Sequence, residues 1–216
     1  MGNLGAPEFG FLLEGFRWTL LLAGVALLGG GLAGLPVALA RSSGSAWLVR
    51  PTAAYIWVFQ GTPLLMQLFV AYYGLGLVGV KLPAWAAVAV GFTLNASAFL
   101  GDIWRGAIQA VPRGQGEAAR ALGLHYTARM RKVVLPQAFR IAQPATVGYL
   151  VQLIKGTSLA AILSFIELTR AGQIVANQIF RPLLVYAVVG ALYFAICWPL
   201  SLASARLEAR LAVGRH

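Results

Sequence analysis

The stretch EAARALGLHYTARMRKVVLP, from Glu117 to Pro136, is polar and rich in arginine, and it lies between long apolar runs. Residues 111–143 around it form the one long polar segment of the chain. The first part of the stretch consists of good helix formers, and Gly123 after it is a natural helix stop. A second short helix is expected over residues 126–134, closed by Leu135-Pro136. The segment is therefore predicted to be a bent lever rather than a linker.

The sequence on either side of this segment is too apolar for an ordinary soluble domain. Hydrophobic residues make up 59% of the 216 residues and charged residues 11%. Because a helix needs about 20 apolar residues to cross the hydrocarbon core of a bilayer, uncharged runs of this length predict membrane spans. Such runs are Trp18–Ala40, Pro51–Val80, Leu82–Gly101 and Pro182–Ala205, and a further run, Ile141–Ile166, is interrupted by Lys155. The expected fold class is an all-α membrane protein with five transmembrane helices.

These runs predict a single transmembrane domain over residues 1–216. The spans are expected at about 15–40, 53–78, 84–108, 144–164 and 183–207, with a cytoplasmic loop at about 110–143. Gly61 and Pro63 predict a kink or a helix start in the second span. Ala26, Gly30 and Gly34 follow one another at four-residue spacing, which favours ordinary packing against a neighbouring span over a specific dimer seam. No signal peptide is recognised, so the first span is expected to be retained.

The distribution of charge predicts the topology. The formal net charge is +11. If the polar loop is cytoplasmic and the spans alternate, twelve of the seventeen basic residues face the cytoplasm: Arg41, Arg50, Arg105, Arg113, Arg120, Arg129, Arg131, Lys132, Arg140, Arg206, Arg210 and Arg215. The positive-inside rule then predicts a multi-pass protein of the inner membrane with an external N-terminus and a cytoplasmic C-terminus. The basic surplus is thus explained by topology, and nucleic acid is not expected as a partner.

Residues that could carry catalysis are few. His125 and His216 are the two histidines, and Cys197 is the single cysteine. A serine–histidine pair inside the membrane, a disulfide and a cysteine metal site are therefore not expected. The sequence has no G-x-x-x-x-G-K-[ST] motif that would bind ATP phosphates. We expect no catalytic residue, no metal ligand and no cofactor bound by this chain, which is predicted not to be an enzyme.

Several motifs resemble those of one transporter family. The spacing of Glu117-Ala118-Ala119, Gly123 and Leu135-Pro136 resembles the EAA loop of the membrane subunits of ATP-binding-cassette (ABC) importers. The segments GTPLLMQ (61–67), RGAIQAVPRGQ (105–115), LPQA (135–138) and KGTSL (155–159) are similar to motifs of the branch that handles polar amino acids. The resemblance covers about residues 11–210. The sequence departs from the family pattern in three places. Gln60 stands where arginine is usual, Gly101-Asp102 where alanine and glutamate are usual, and Val133 where isoleucine is usual.

The resemblance implies the fold of a type I ABC importer permease and a role in the uptake of a polar amino acid such as histidine, arginine, glutamine or glutamate. The implied partners are an ATPase dimer that binds ATP and Mg, an extracytoplasmic amino-acid-binding protein, a second permease subunit, identical or related, and membrane lipid. In such an importer the loop couples ATP hydrolysis on the partner subunits to the pathway. The coupling residues it implies are Glu117, Ala118, Ala119, Gly123, Leu135 and Pro136.

Two charges fall at membrane depth, where a charged side chain costs about 2.5–3.5 kcal/mol unless it faces a cavity or a partner. Lys155, with the hydroxyls of Thr157 and Ser158, is expected either to receive the carboxylate of an amino-acid substrate or to pair with a carbonyl or with Asp102. Asp102 itself is expected to pair with Arg105 rather than with a substrate amine. Together with Gln60, these residues are the candidate pathway residues.

Other interpretations remain open at this point. The loop could be an amphipathic segment resting on anionic lipid, although this leaves its glycine and Leu-Pro spacing unexplained. The chain could import another small polar solute, or it could be a stand-alone channel or secondary carrier, which should show an inverted repeat and work without ATPases. A membrane anchor or enzyme subunit would need catalytic polar clusters. Glu167 and Arg170, which resemble an ELxR element, are expected to form a solvated pair rather than a contact with a binding protein.

Overall fold

The computed structural model describes residues 4–77 and 79–213, and these residues form eight helices. They are α1 (Ala6–Arg41), α2 (Ala46–Gly61), α3 (Leu64–Leu77), α4 (Ala84–Gln109), α5 (Arg113–Ala121), α6 (Tyr126–Leu163), α7 (Leu168–Ile179) and α8 (Pro182–Val213). The described part of the chain contains no strand, which confirms the all-α fold class. The expected end of the second span at Val78, the basic Arg215 and His216 lie outside the described residues.

Four helices, α1, α4, α6 and α8, are long and apolar enough to cross a membrane by themselves. Taken together, the helices α2 and α3 are also long and apolar enough to cross a membrane, but they are bent by 107° at Thr62-Pro63. The kink expected at Gly61 and Pro63 is confirmed. Pro63 precedes the first residue of α3 with extended backbone, because its ring fixes φ at −62° and it has no N–H to continue α2.

The direction of the long helices shows that the bent pair is a fifth crossing. Gly30 of α1 lies against Ala96 of α4, and further along both helices Val37 lies against Gly101, so α1 and α4 run in the same direction. A chain that passes twice in one direction must return between the two passes, and α2–α3 is the segment that lies between. In α6, by contrast, Tyr149 donates a hydrogen bond to Asn95 of α4, whereas the earlier Thr146 contacts the later Trp104. The helix α6 is therefore antiparallel to α4.

Small residues determine how closely α1 and α4 approach. A Cβ atom placed on Gly30 would overlap the Cβ of Ala96, and one placed on Gly34 would lie 2.9 Å from the carbonyl oxygen of Ser97. Ala26 is fully buried in the same stripe. The stripe thus packs against a neighbouring span of the same chain, as the sequence predicted, and the two backbones can approach because Cβ atoms are missing from the seam.

The helix α6 is longer than the sequence predicts. A short helix closed by Leu135-Pro136 and a separate span starting near Pro144 were expected, but the helix continues from Tyr126 through both prolines to Leu163. A π-helical turn, Met130–Val134, directly precedes Leu135. We attribute the continuity to this wider turn, which gives room for the Pro136 ring near the preceding carbonyl groups. The prediction that Leu135-Pro136 closes a helix is therefore wrong.

Candidate functional site

The helix α5, hereafter the lever, is the first of the two short helices predicted for the polar segment, and its ends are fixed by backbone chemistry. It starts directly after Pro112 and its last residue is Ala121, after which the chain turns at Leu122 and Gly123. Gly123 has a φ of +77°, which is the left-handed conformation that ends many helices, and its N–H donates to the carbonyl of Arg120 at 2.9 Å. Leu124 N–H donates to the carbonyl of Ala119 at 3.1 Å. A Cβ on Gly123 would meet no atom within 4 Å, so it is the backbone angle that requires glycine here.

The lever has a buried side and an exposed side. Ala119 is 3% exposed and faces the rest of the chain, whereas Glu117 and Ala118 are exposed. Leu122 is 82% exposed on a helix that is otherwise polar, and sequence reasoning did not single it out. The signal was available, because a leucine at the end of a polar helix is unusual unless a partner covers it. Leu135 and Pro136, the other expected coupling residues, belong to the first half of α6.

A polar relay supports the break between α2 and α3. Because Pro63 has no N–H, the carbonyl of Phe59 loses its helical partner, and Gln67 Nε2 donates to that oxygen at 2.8 Å. The same nitrogen donates to the carbonyl oxygen of Thr62 at 3.0 Å. On its other side, Gln67 Oε1 accepts from Asn95 Nδ2 at 2.9 Å, and Asn95 Oδ1 accepts from the hydroxyl of Tyr149 at 3.1 Å. Side chains from α3, α4 and α6 thus hold the break between α2 and α3 in place.

A cavity of about 170 Å³ opens beside this relay. Its polar lining comes from three helices, α2, α4 and α6, and from the break itself, through Gln60, Thr62, Asn95, Tyr149 and Gln152. The amide groups and hydroxyls here can donate and accept hydrogen bonds. Of these residues sequence reasoning named Gln60. The polar Asn95 inside the apolar run of α4 was the signal that could have identified the rest.

Gln60 and Asp102, two of the candidate pathway residues, lie next to each other. Gln60 Nε2 lies 3.5 Å from Asp102 Oδ2. Asp102 Oδ1 lies 2.8 Å from Arg105 Nη2 and accepts from Arg105 Nε at 2.9 Å, which confirms the expected pairing one turn apart. Arg105 Nη1 also donates to Gln109 Oε1 at 2.7 Å. The result is a row of polar groups along α2 and α4 that is partly exposed on one side.

Lys155 lies in a different place. Its side chain is exposed and lines a cavity of about 320 Å³ against α8, together with Tyr193, Cys197 and Ser201. It is not paired with Asp102, which pairs with Arg105. Of its two expected companions, Thr157 is fully buried and donates its hydroxyl to the carbonyl of Ile154 at 2.6 Å.

Ser158, the third member of this group, donates its hydroxyl to the carbonyl of Lys155 at 2.8 Å. The protons of both hydroxyls are therefore directed to the preceding helical turn. A carboxylate that reached this part of the chain would meet the ammonium group of Lys155 without a proton from Thr157 or Ser158 in the arrangement seen here.

Glu167 is not solvated, and the expected Glu167–Arg170 ion pair is not formed. Glu167 is fully buried at the start of α7, where its carboxylate accepts from the backbone N–H of Thr169 at 2.9 Å and of Arg170 at 2.8 Å. The hydroxyl of Tyr193 in α8 donates to it at 2.9 Å. The physical reason is capping, because the free N–H groups of a helix start attract an acidic side chain. The side chain of Arg170 instead donates to Gln173.

Comparison with known proteins gives consistent matches over nearly the whole chain. A family model described as the inner membrane component of binding-protein-dependent transport systems matches residues 26–213. The probable amino-acid ABC transporter permease protein YckA of Bacillus subtilis is 38% identical, over 90% of this chain and 86% of that protein. The nopaline transport system permease protein NocM of Agrobacterium fabrum is 34% identical, over 90% of this chain and 85% of that protein.

A solved structure agrees with these matches. A crystal structure described as an amino acid ABC transporter with histidines contains a chain that superposes with a TM-score of 0.86 at 34% identity. The match covers 94% of each chain. The similarity therefore extends to the arrangement of the helices and is not confined to the short motifs.

Proposed function

Because this chain belongs to the family of inner membrane components of binding-protein-dependent transport systems, we propose that it forms the membrane pathway of an ATP-driven importer of polar amino acids. It is a multi-pass protein of the inner membrane. The amino-acid class is supported by its relatives, whose names include amino-acid and nopaline permeases. It is also supported by the polar cavity at the α2–α3 break, whose amides and hydroxyls can exchange hydrogen bonds with an amino acid in transit.

The observation that carries the proposal is the exposed side of α5. This short helix presents Glu117, Ala118 and, directly after its last residue, the 82% exposed Leu122. An exposed leucine and small residues beside it suit a partner that packs closely on this surface. We assign this surface to a dimer of ATPase subunits, which bind ATP and Mg and carry out the hydrolysis. The bend at Gly123 then transmits their motion to α6, whose first turns contact α5.

Two further partners complete the proposed importer. A second permease subunit, identical or related, faces this chain across the pathway, because a single chain leaves the polar row of Gln60, Asp102 and Arg105 open on one side. An extracytoplasmic binding protein delivers the amino acid from the opposite side of the membrane. ATP binding would then bias the pair between two arrangements of one pathway.

The proposal is tested by purifying the tagged chain gently from native membranes and assaying the complex for ATPase activity and uptake. Gly123→Pro should reduce uptake at least tenfold while the chain stays inserted, because a proline ring fixes φ near −65° and cannot adopt +77°. Glu117→Lys should also uncouple the two activities, so that the copurified ATPase still hydrolyses ATP while uptake is reduced. Glu208→Lys in the exposed end of α8 is the matched control and should change neither.

The alternative classes predict different results in the same experiment. A stand-alone channel or carrier would purify without an ATPase, and the chain alone would move solute across liposomes. An importer of another small polar solute would copurify with an ATPase that amino acids do not stimulate. Normal uptake by both the Gly123→Pro and Glu117→Lys variants would remove α5 from the coupling mechanism.

The pathway is proposed to follow Gln60, Asp102 and the cavity at the break, with Lys155, Thr157 and Ser158 as further candidates on α6. Lys155 carries an exposed positive charge that a substrate carboxylate or the second subunit could neutralise. Lys155→Ala should raise the substrate concentration for half-maximal uptake and leave the copurified ATPase unchanged. Unaltered uptake kinetics would leave Lys155 with a structural role.

A further inference from the structure

An apolar groove runs along the outside of the chain between α1, α4 and α6. Its cavity has a volume of about 600 Å³ and its walls include Leu28, Leu32, Trp104, Ile108 and Phe139. Leu28 is 71% exposed, Leu32 81% and Phe139 68%, so the groove is open to the side. On a protein that spans a membrane, such an opening meets the hydrocarbon of the bilayer.

The groove is as long as one leaflet is thick. On α1 its lining extends from Leu27 to Leu35, about 12 Å at 1.5 Å per residue. On α6 it extends from Leu135 to Thr146, which is about 16 Å. Half of the roughly 30 Å hydrocarbon core is about 15 Å. One extended acyl chain of one leaflet therefore fits the length of the groove.

A basic pocket adjoins the groove at the end where α4 gives way to α5. This pocket, of about 350 Å³, is lined by Arg113, Arg120 and Arg129, with Glu117 as the one carboxylate among its lining residues. In the described part of the chain no ion pair neutralises any of the three arginines. The guanidinium of Arg129 stands 5.5 Å from the centre of the Tyr126 ring, which holds it in place.

The groove and the basic pocket are continuous. Ile108 lines both, and the adjacent residues Val134 and Leu135 of α6 line one each. A third cavity, also lined by Ile108 and Arg113, adds Arg41 from the end of α1. The Nε atom of Arg41 is buried and has no hydrogen-bond partner among the described residues. Positive charge is thus concentrated at one end of a slot that is otherwise apolar.

We propose that the groove and the basic pocket together bind one anionic phospholipid of the cytoplasmic leaflet, with an acyl chain in the groove and the phosphate between Arg113 and Arg129. The cytoplasmic position of α5 in the proposed function is the premise that selects this leaflet. Anionic headgroups accumulate there and attract clustered arginines. The bound lipid connects α1 and α4 to the base of α5, so it holds the lever at a fixed angle to the spans.

The test titrates phosphatidylglycerol into the purified full-length chain in mild detergent and counts bound lipid by native mass spectrometry. Wild type should bind one phosphatidylglycerol more tightly than phosphatidylcholine. Arg113→Gln and Arg129→Gln should each weaken binding about fivefold, and together about 30-fold. Each arginine near an anionic lipid surface contributes about 1 kcal/mol of binding free energy, which corresponds to about fivefold in affinity. Arg206→Gln with Arg210→Gln, an equal loss of charge in α8, should leave the affinity unchanged.

A second variant tests the groove independently of charge. A Cβ on Gly31 would lie 3.4 Å from Trp104, so Gly31→Leu places its side chain in the middle of the groove. It should reduce lipid binding at least fivefold. Gly24→Leu is the matched control on the same helix, because a Cβ there meets no atom within 4 Å and Gly24 does not line the groove.

Three results would overturn the proposal. The first is equal affinity for phosphatidylglycerol and phosphatidylcholine, and the second is unchanged binding in both the double arginine variant and Gly31→Leu. The third is full displacement of the lipid by glycerol 3-phosphate, which would reduce the pocket to a site for free phosphate. Lipid binding is measured without the ATPase, so a chain that binds lipid but purifies without an ATPase would refute the proposed function and leave this inference intact.

Discussion

Single residues at membrane depth show how the described structure satisfies polar groups that the sequence places in an apolar setting. Asn95 stands in the uncharged run of α4 and is 6% exposed. It accepts from Tyr149 and donates to Gln67, which in turn donates to the carbonyl that Pro63 leaves without a partner. Asn95 thus acts through Gln67 on the backbone of α2 at Phe59.

Asn95→Leu should therefore destabilise the protein. The substitution leaves the partly buried amide oxygen of Gln67 and the buried hydroxyl of Tyr149 without these partners. A buried group left unsatisfied costs about 1–3 kcal/mol. We expect a lower midpoint of thermal unfolding in detergent. Asn177→Leu, at an exposed position of α7, should leave the midpoint unchanged. Equal midpoints for wild type and Asn95→Leu would show that the relay contributes nothing to stability.

Glu167 allows a similar prediction for the start of α7. Glu167→Ala removes the cap of α7 and leaves Tyr193 and Thr19 without their acceptor. Loss of a cap costs about 0.5–2 kcal/mol, and a hydrogen bond to a charged group contributes about 1.5–3 kcal/mol. Unfolding in urea should occur at a clearly lower concentration. Glu14→Ala, which removes an exposed pair with Arg17 at 3.8 Å, is the control expected to be neutral.

Among the helices, the seam between α1 and α4 is the element contact with the least tolerance. Gly30→Ala adds one methyl group that overlaps Ala96, so the two helices must separate. Overpacking of this kind costs about 1–3 kcal/mol. We expect a reduced thermal midpoint, whereas Gly24→Ala on the same helix should be neutral or slightly stabilising. If Gly30→Ala were as stable as Gly24→Ala, the close approach would have no energetic role.

The helix α6 shows that local helix-end and helix-start signals can miss a long continuous helix. Leu135-Pro136 and Pro144 are ordinary signals for a helix end and a helix start, yet both lie inside one helix that runs from the lever into the membrane. The π-helical turn at Met130–Val134 makes this possible, and no single residue type announces it. The bend at Gly123, by contrast, was predictable, because glycine adopts a positive φ more readily than any other residue.

For the whole molecule, an odd number of crossings places the two termini on opposite sides of the membrane. In a Cys197→Ser background, a membrane-impermeant maleimide added to intact cells should label Lys81→Cys at once. Ser45→Cys should be labelled after permeabilisation, because it lies between the basic residues Arg41 and Arg50. The reverse pattern would place the N-terminus in the cytoplasm and would also move the lever to the outside.

The sequence by itself determined that this chain is a helical membrane protein with five crossings, a bent second span and a polar lever. These properties depend on composition, run length and backbone chemistry, which are local. The tertiary structure decided which polar groups meet. It buries Glu167, places Gln67, Asn95 and Tyr149 in one relay, and separates Lys155 from Asp102. Such contacts join residues far apart in the chain, and they depend on helix direction and rotation, which the seam of small residues between α1 and α4 helps to determine.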